Sequence, residues 1–430
     1  MDKKSCFLAR IRSRNWYSFA PILSSLNKSG FDDFVLVKKL DNASVKIIEE
    51  RIITSEVTFY LDSYKTMEYR DVETEISLLR TSFVEEAIQK KIFFIAGGPH
   101  PTGNPESALN AGFNYVIRGE GEEALPRLVL NLLQKNISEN IPALSFIREN
   151  GQIQHNAVGD PVILDDFEPY INLPSVKLSP PIEIMRGCHF KCRFCQVPKM
   201  YSKVRFRSLK AIDRIFAHYA EVFKNQLSID LRFIAPNFLG YGSASATKPD
   251  TDKLWKLVEL GEKYGARLFM GSFPSEVRPE SVTGDTIEIL KHGSSRNIAL
   301  GAQSGSERML RAMRRGHGTE EVFRACDLLV KNDYIPHVDF ILGSPGETPA
   351  DMAMTLEMMY ELVKMGCKIR GHHFLPLPST PWENERPVEI PDEISVEIGK
   401  LAKRQQATGC FERQKASVTD EMNGKKRKSD

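Results

Sequence analysis

Three cysteines crowd into eight residues, where Met185-Arg186-Gly187-Cys188-His189-Phe190-Lys191-Cys192-Arg193-Phe194-Cys195 spells C-x3-C-x2-C after an apolar segment. Three thiolates on one short loop suit zinc or an iron–sulfur cluster. A structural zinc site closes with four ligands, and the fourth would have to be His189 or a distant group. A cubane cluster also wants four, yet tolerates three when one iron is left for an exogenous chelator. The other cysteines, Cys6, Cys326, Cys367 and Cys410, are scattered singly. An odd total with one tight cluster is no disulfide framework; it points to metal or redox chemistry in a reducing cytoplasm. Cys326 and Cys410 read as small apolar residues of helices.

Other candidates stand at the ends of apolar segments. Asn237 closes Ala235-Pro236-Asn237, Gln303 and Ser304 open Gln303-Ser304-Gly305-Ser306-Glu307, and Leu342 precedes Gly343-Ser344-Pro345-Gly346-Glu347. Nearer the N-terminus come Ser63-Tyr64-Lys65, then Gly97-Gly98-Pro99-His100-Pro101, then Gly119-Glu120-Gly121-Glu122. Paired glycines let backbone approach a large flat ligand, and Glu120 and Glu122 can accept hydrogen bonds. Tyr241, Arg278, His372 and His373 are candidates to touch a substrate. The plainer readings are a packed tyrosine with a bonded hydroxyl, a Glu–Arg pair and satisfied core histidines.

Such residues need a scaffold that gathers strand ends. From Pro181 onward, strand candidates at Pro181–Met185, Ile229–Ala235, Ala266–Gly271, Asn297–Ala302, Ile335–Ile341 and Ile369–Leu375 alternate with helical periodicity. The helical stretches include Asp252–Tyr264, Glu320–Lys331 and Ala350–Met365. Strands separated in this way make parallel βα units, and six fall short of the eight of a closed barrel. The expectation is α/β throughout. It places a Rossmann-like domain at 1–155, with buried strands Phe34–Val37, Val57–Leu61 and Ile92–Ala96, followed by a proline-bearing linker at 156–180. A partial (β/α)6 barrel is expected at 181–385, then a short helical extension at 386–430. The polar end from about Lys415, with Lys425-Lys426-Arg427-Lys428, is expected to be a disordered solvated tail.

Composition narrows the classes. The 430 residues carry 58 basic and 56 acidic side chains, for a net charge of +2, so no general attraction to nucleic acid or acidic membrane is implied. No apolar run approaches the ~18 residues of a spanning helix, and the N-terminus lacks the apolar stretch of a secretory signal.

In their order along the chain, the cysteine loop and the strand-end segments after it resemble the radical SAM superfamily. The resemblance implies a 4Fe–4S cluster on Cys188, Cys192 and Cys195, whose open iron chelates S-adenosylmethionine (SAM). Reduction would then yield methionine and a 5′-deoxyadenosyl radical. The resemblance assigns Phe194, Asn237, Gln303, Ser304 and Leu342 to SAM. Asn237 stands where the family has Gly-Gly-Glu, and Gln303 where Glu is common. The N-terminal segments resemble the cobalamin-binding domain fused to many such enzymes. That likeness puts Ser63, Tyr64, Gly97, Gly98, Pro99, His100, Gly119, Glu120, Gly121 and Glu122 near a corrin. The chain lacks D-x-H-x-x-G, so His100 is read as a loop residue beside the corrin and not as a cobalt ligand.

The combination implies a cobalamin-dependent C-methyltransferase acting on an unactivated sp3 carbon, with Tyr241 and Arg278 at the reacting centre. Its main demand on the protein is positioning. The segments RGCHFKCRFCQVPKM, APNFLGYG and GSFPSEVRPE most resemble cobalamin-linked radical SAM proteins of methanogenic archaea, among them the group that methylates a glutamine of methyl-coenzyme M reductase. The implied partners are a protein or peptide substrate and a low-potential electron donor, with no nucleic acid and no membrane. Alternatives are methylation or rearrangement of a small molecule, and a non-catalytic cobalamin sensor. A methylthiotransferase would be expected to carry extra cysteines for a second cluster and an RNA-binding domain.

Overall fold

The computed structural model describes residues 5–12, 15–135 and 140–422, with side chains to 416. The chain divides into two compact units, Met1–Pro180 with Lys199–Ser202, and Pro181–Pro198 with Lys203–Asp430.

The first unit is built on β1 (Ser5–Arg10), β2 (Phe34–Val37), β3 (Val57–Ser63), β4 (Ile92–Gly97), β5 (Tyr115–Ile117), β6 (Leu144–Ile147) and β7 (Ile153–His155). Their order is β2-β1-β3-β4-β5-β6-β7, parallel through β5 and antiparallel beyond it. Order 2-1-3-4-5 is the flavodoxin-like doubly wound arrangement, whose crevice opens where β1 and β3 lead in opposite directions. Side chains alternate across the sheet. Phe7 and Phe59 join Leu125 and Leu128 in one apolar layer, while Leu8 and Tyr60 join Val72 and Ile76 in the other. Burial on both faces is why these strands read as continuous apolar runs. The central strand β1 was not expected from the sequence, because its short apolar core lies between basic residues.

The expected linker is ordered structure. Residues 156–180 hold a 3-10 turn at Leu164–Asp166 and a short antiparallel pair, β8 (Ile171–Asn172) with β9 (Lys177–Leu178). Ile171 and Val176 are buried in the first unit's core, so apolar contact overrides the local prolines.

The second unit contains the expected six parallel strands: β10 (Ile182–Glu183), β13 (Ile229–Ile234), β14 (Ala266–Phe269), β15 (Asn297–Gln303), β16 (Ile335–Leu342) and β17 (Lys368–His373). Backbone hydrogen bonds from Ser294 to Leu268, from Ala299 to Gly271 and from Val277 to Ala299 carry the sheet across from β14 to β15. Two expectations are corrected. The first strand breaks after Glu183, and the chain re-forms as β11 (Met185–Arg186), antiparallel to β12 (Arg205–Phe206). The extension after 385 is not purely helical. Between helices Asp392–Lys403 and Phe411–Met422 it adds β18 (Ala407–Gly409), a seventh parallel strand beside β17. The helix to Met422 covers part of the expected tail, and Lys425-Lys426-Arg427-Lys428 lies outside the described residues.

Candidate functional site

The hairpin β11–β12 holds the cysteine loop at its neck. Gly187 sits at φ +87°, and a Cβ there would lie 2.6 Å from the Lys203 carbonyl oxygen, so only glycine fits. The loop is tied to distant elements: Arg193 N–H donates to Met313 O (3.0 Å) and Gln196 Nε2 to Pro378 O (2.9 Å). Phe194 packs with Met309, Met313, Phe374 and Trp382. Burial raises the Cys195 thiol to about 12, reinforced by the other two thiols and opposed by the Val197 N–H and Arg315. Burial also raises Cys188. Such thiols hold their protons until a metal displaces them.

Two buried arginines back the loop. The Arg315 Nη1 donates to Cys192 Sγ at 3.6 Å, Nη2 to Gly301 O at 2.6 Å and Nε to His317 Nε2 at 3.1 Å. Burial, then Arg315 and Arg278, push His317 down to about 3, so its ring is a neutral acceptor. Arg278 lies 3.3 Å above the centre of the Phe190 ring, pairs with Glu280 and donates to the Arg315 carbonyl. This position corrects the placement of Arg278 at a substrate: it braces the cysteine loop. Tyr241 is also corrected. It is 1% exposed, and its hydroxyl donates to Arg207 O at 2.8 Å.

The donor set fits an iron–sulfur cluster better than a closed zinc site. His189, the local candidate for a fourth zinc ligand, has its Nε2 3.3 Å from the Ser243 carbonyl oxygen.

The residues expected at SAM fall into two kinds. Gln303 ends β15 at φ +81°, just past an irregularity in its pairing with β16. Backbone strain of this sort, roughly 1–3 kcal/mol, collects at functional sites. Leu342 ends β16 at the same edge. Ser304 and Asn237 instead serve the scaffold. Ser304 Oγ lies 3.2 Å from Thr355 Oγ1 and accepts from Ser306 N, while Asn237 bonds Ser281 Oγ through Nδ2 and accepts from Arg278 N.

Alternation along β16 puts Val338 and Phe340 on one face and His337 and Asp339 on the other. There Asp339 takes Arg370 Nε (2.7 Å) from β17 and His372 Nε2 (3.4 Å), while Glu276 reaches Arg370 at 3.8 Å. A pocket of about 340 Å³ opens beside them, lined by Arg232, Phe269, Phe273, His337 and Arg370 among others. Sequence reasoning missed Asp339 and Arg370; their signal was a charge inside each of two otherwise strand-like runs. His373 is buried, with Nδ1 on its neighbour Phe374 O (2.8 Å).

In the first unit, Ser63 pairs with Gly97 across the ends of β3 and β4, and Gly119 follows β5 at φ +79°. Gly98 has φ +90°, and a Cβ there would meet Ser63 Oγ at 2.6 Å and Tyr64 N at 2.9 Å. These segments thus line one carboxyl edge of the sheet. Pro99 begins the helical turn Pro99–Gly103. His100 packs against both Tyr64 and Tyr69 (ring centroids 5.6 and 4.6 Å), with Nδ1 near Thr66 Oγ1 (3.2 Å) and Nε2 near Ser107 Oγ (3.0 Å). Burial lowers it to about 4. Glu120 accepts from Val162 N (2.8 Å), Glu122 is buried, and a Cβ on Gly121 would press on Ile22. Also missed from sequence was an ionic network at the β1–β3 crevice, in which Arg12 bridges Asp62 and Glu75 and Arg10 adds a second link to Glu75.

Residues 182–359 match the family model of the radical SAM superfamily. The second unit carries a radical SAM domain. Its cofactors are accordingly a [4Fe–4S] cluster and SAM, and the three cysteines are the donors that fit the cluster. Among curated relatives, the tRNA-2-methylthio-N(6)-dimethylallyladenosine synthase of a Sulfurihydrogenibium species is 27% identical over 51% of this chain and 48% of its own length. The same enzyme from Wolbachia pipientis is 26% identical over 76% of this chain and 73% of its own. The chain thus spans about half the length of the first of these relatives. Among solved structures, the radical SAM methyltransferase TsrM of Kitasatospora setae, with cobalamin and a [4Fe–4S] cluster bound, has TM-score 0.68 at 16% identity. That match covers 89% of this chain and 77% of TsrM. OxsB, a cobalamin-dependent SAM radical enzyme, has TM-score 0.65 at 15% identity, covering 83% of this chain and 52% of its own. At these identities the structural likeness speaks for fold.

Proposed function

We propose that the chain is a cobalamin-dependent radical SAM C-methyltransferase. The observation that carries this reading is the pairing, in one chain, of a flavodoxin-order sheet with a cysteine-loop barrel, matched by TsrM over 89% of the sequence. The methylthiotransferases are closer in sequence, but 1–180 contains one cysteine, Cys6. Cys6 is fully buried, and desolvation pushes its thiol to about 12, so this unit offers no second cysteine cluster.

In this reading Cys188, Cys192 and Cys195 hold the cluster, which supplies the electron that cleaves SAM, and cobalamin supplies a methyl carrier. The strand ends at Gln303 and Leu342 would face SAM. Ser63, Gly97, Gly98 and Gly119 at the carboxyl edge would face the corrin, with His100 kept from cobalt by its hydroxyl partners. Glu276, Asp339, Arg370 and His372 would offer a substrate both donors and acceptors, suited to an amide-bearing side chain or peptide backbone. The proposed substrate is a polypeptide, with a glutamine of methyl-coenzyme M reductase as the first case to try. A low-potential electron donor and a cytoplasmic setting go with it. The structure itself shows no helix long and apolar enough to cross a membrane among the described residues.

The test incubates the reconstituted protein with methyl-labelled SAM, a low-potential reductant and that peptide. Mass spectrometry should place one added CH2 on the glutamine. Label on a small metabolite and none on the peptide would reject the polypeptide substrate.

A further inference from the structure

A buried arginine needs an anion. Arg315 is 8% exposed, and its side chain is a cationic guanidinium with donors only. Among the described residues, none of its hydrogen-bond partners is a carboxylate: they are the Gly301 carbonyl, the neutral His317 ring and the Cys192 sulfur. Glu276 acts on it only through space and is itself in reach of Arg370. Leaving such a charge uncompensated in the interior is costly. Of these partners, Cys192 is the one that the radical SAM reading makes a ligand of the cluster.

Arg315 is also firmly aimed. Its Nη2 and Nε are anchored by Gly301 and His317, its own carbonyl receives Arg278, and a Cβ on Gly301 would lie 2.9 Å from its Nη2. The remaining nitrogen, Nη1, points at the middle cysteine of the triad. A cluster held by three thiolates carries net negative charge, and that charge grows when the cluster takes up an electron. Hydrogen bonds and positive charge at the ligating sulfur favour the reduced state.

We propose that Arg315 is the electrostatic counter-ion of the iron–sulfur site and raises its reduction potential through the Nη1–Cys192 Sγ hydrogen bond. The inference rests on the radical SAM reading above. Arg315 is a positioning and tuning residue and touches no substrate in this role. Arg278 acts one step behind it, fixing the Arg315 backbone while its own charge is met by Glu280.

The experiment is an anaerobic redox titration of the reconstituted full chain, followed by electron spin resonance, with iron content measured in parallel. Arg315→Gln should bind the same iron but disfavour one-electron reduction at least tenfold, about 59 mV for a one-electron couple. Arg315→Lys keeps the charge and should recover most of that loss. Equal potentials in wild type and Arg315→Gln would overturn the proposal. Loss of iron in both variants would show a purely structural role and overturn it as well. If Arg315→Gln alone loses its iron while Arg315→Lys keeps both iron and potential, the charge requirement stands. Failure of wild type to bind any cluster would instead reject the reading on which the inference rests.

Discussion

Replacing Cys188, Cys192 or Cys195 with Ala should abolish both cluster assembly and SAM cleavage, because two thiolates cannot hold a cubane against solvent. Iron analysis and chromatography of 5′-deoxyadenosine check this, and a single variant with full iron and full product would contradict it. At His100 the expectation is the opposite. Its two ring nitrogens are engaged by Thr66 and Ser107, so His100→Ala should keep its corrin and an unchanged Co(II) spin-resonance spectrum. Nitrogen superhyperfine splitting in the wild type that vanishes in the variant would place the histidine on cobalt. The cysteines were legible because spacing within one loop is visible in sequence. Tyr241 and Arg278 were not: their partners, Arg207 O and Arg315 O, lie 34 and 37 residues away, and only the fold chooses between a cavity and a carbonyl.

Among the elements, the turn after β16 carries its own pH signature. Glu347 caps this turn by accepting from Gly343 N (2.7 Å) and Ser344 N (3.0 Å), yet its Oε1 is buried without a partner. Desolvation outweighs those two bonds and raises Glu347 from 4.5 to about 7. The folded state therefore binds the proton more tightly than the unfolded state. The stability gained from protonation is complete below about pH 4.5 and is lost as pH rises toward 7. Glu347→Gln keeps an acceptor for both N–H groups without the charge, so its advantage over wild type should grow from pH 5 to pH 8, by on the order of 3 kcal/mol. Denaturant titrations at the two pH values check this, and a pH-independent difference would contradict it. The strand–helix alternation was legible because its strands are apolar or half-apolar runs set between stretches of helical periodicity. The break of the first strand after Glu183, the three-residue β18 and the ordered segment at 156–180 were not, since their backbone pairing and burial depend on partners remote in sequence.

At the scale of the whole molecule, the relatives by sequence and the neighbours by fold differ in kind. The sequence relatives named above are methylthiotransferases, and the solved structures of like fold named above bind cobalamin. Both share the radical SAM domain, so SAM cleavage alone cannot separate them. Corrin can. The deciding measurement reconstitutes the full chain anaerobically with iron, sulfide and hydroxocobalamin, removes unbound cofactor by gel filtration, and adds SAM with a low-potential reductant. The account predicts that iron and corrin co-elute with the protein, and that both 5′-deoxyadenosine and S-adenosylhomocysteine form, the second only when corrin is bound. Iron and 5′-deoxyadenosine with no retained corrin would contradict the cobalamin assignment, and absence of both products would contradict the radical SAM chemistry itself.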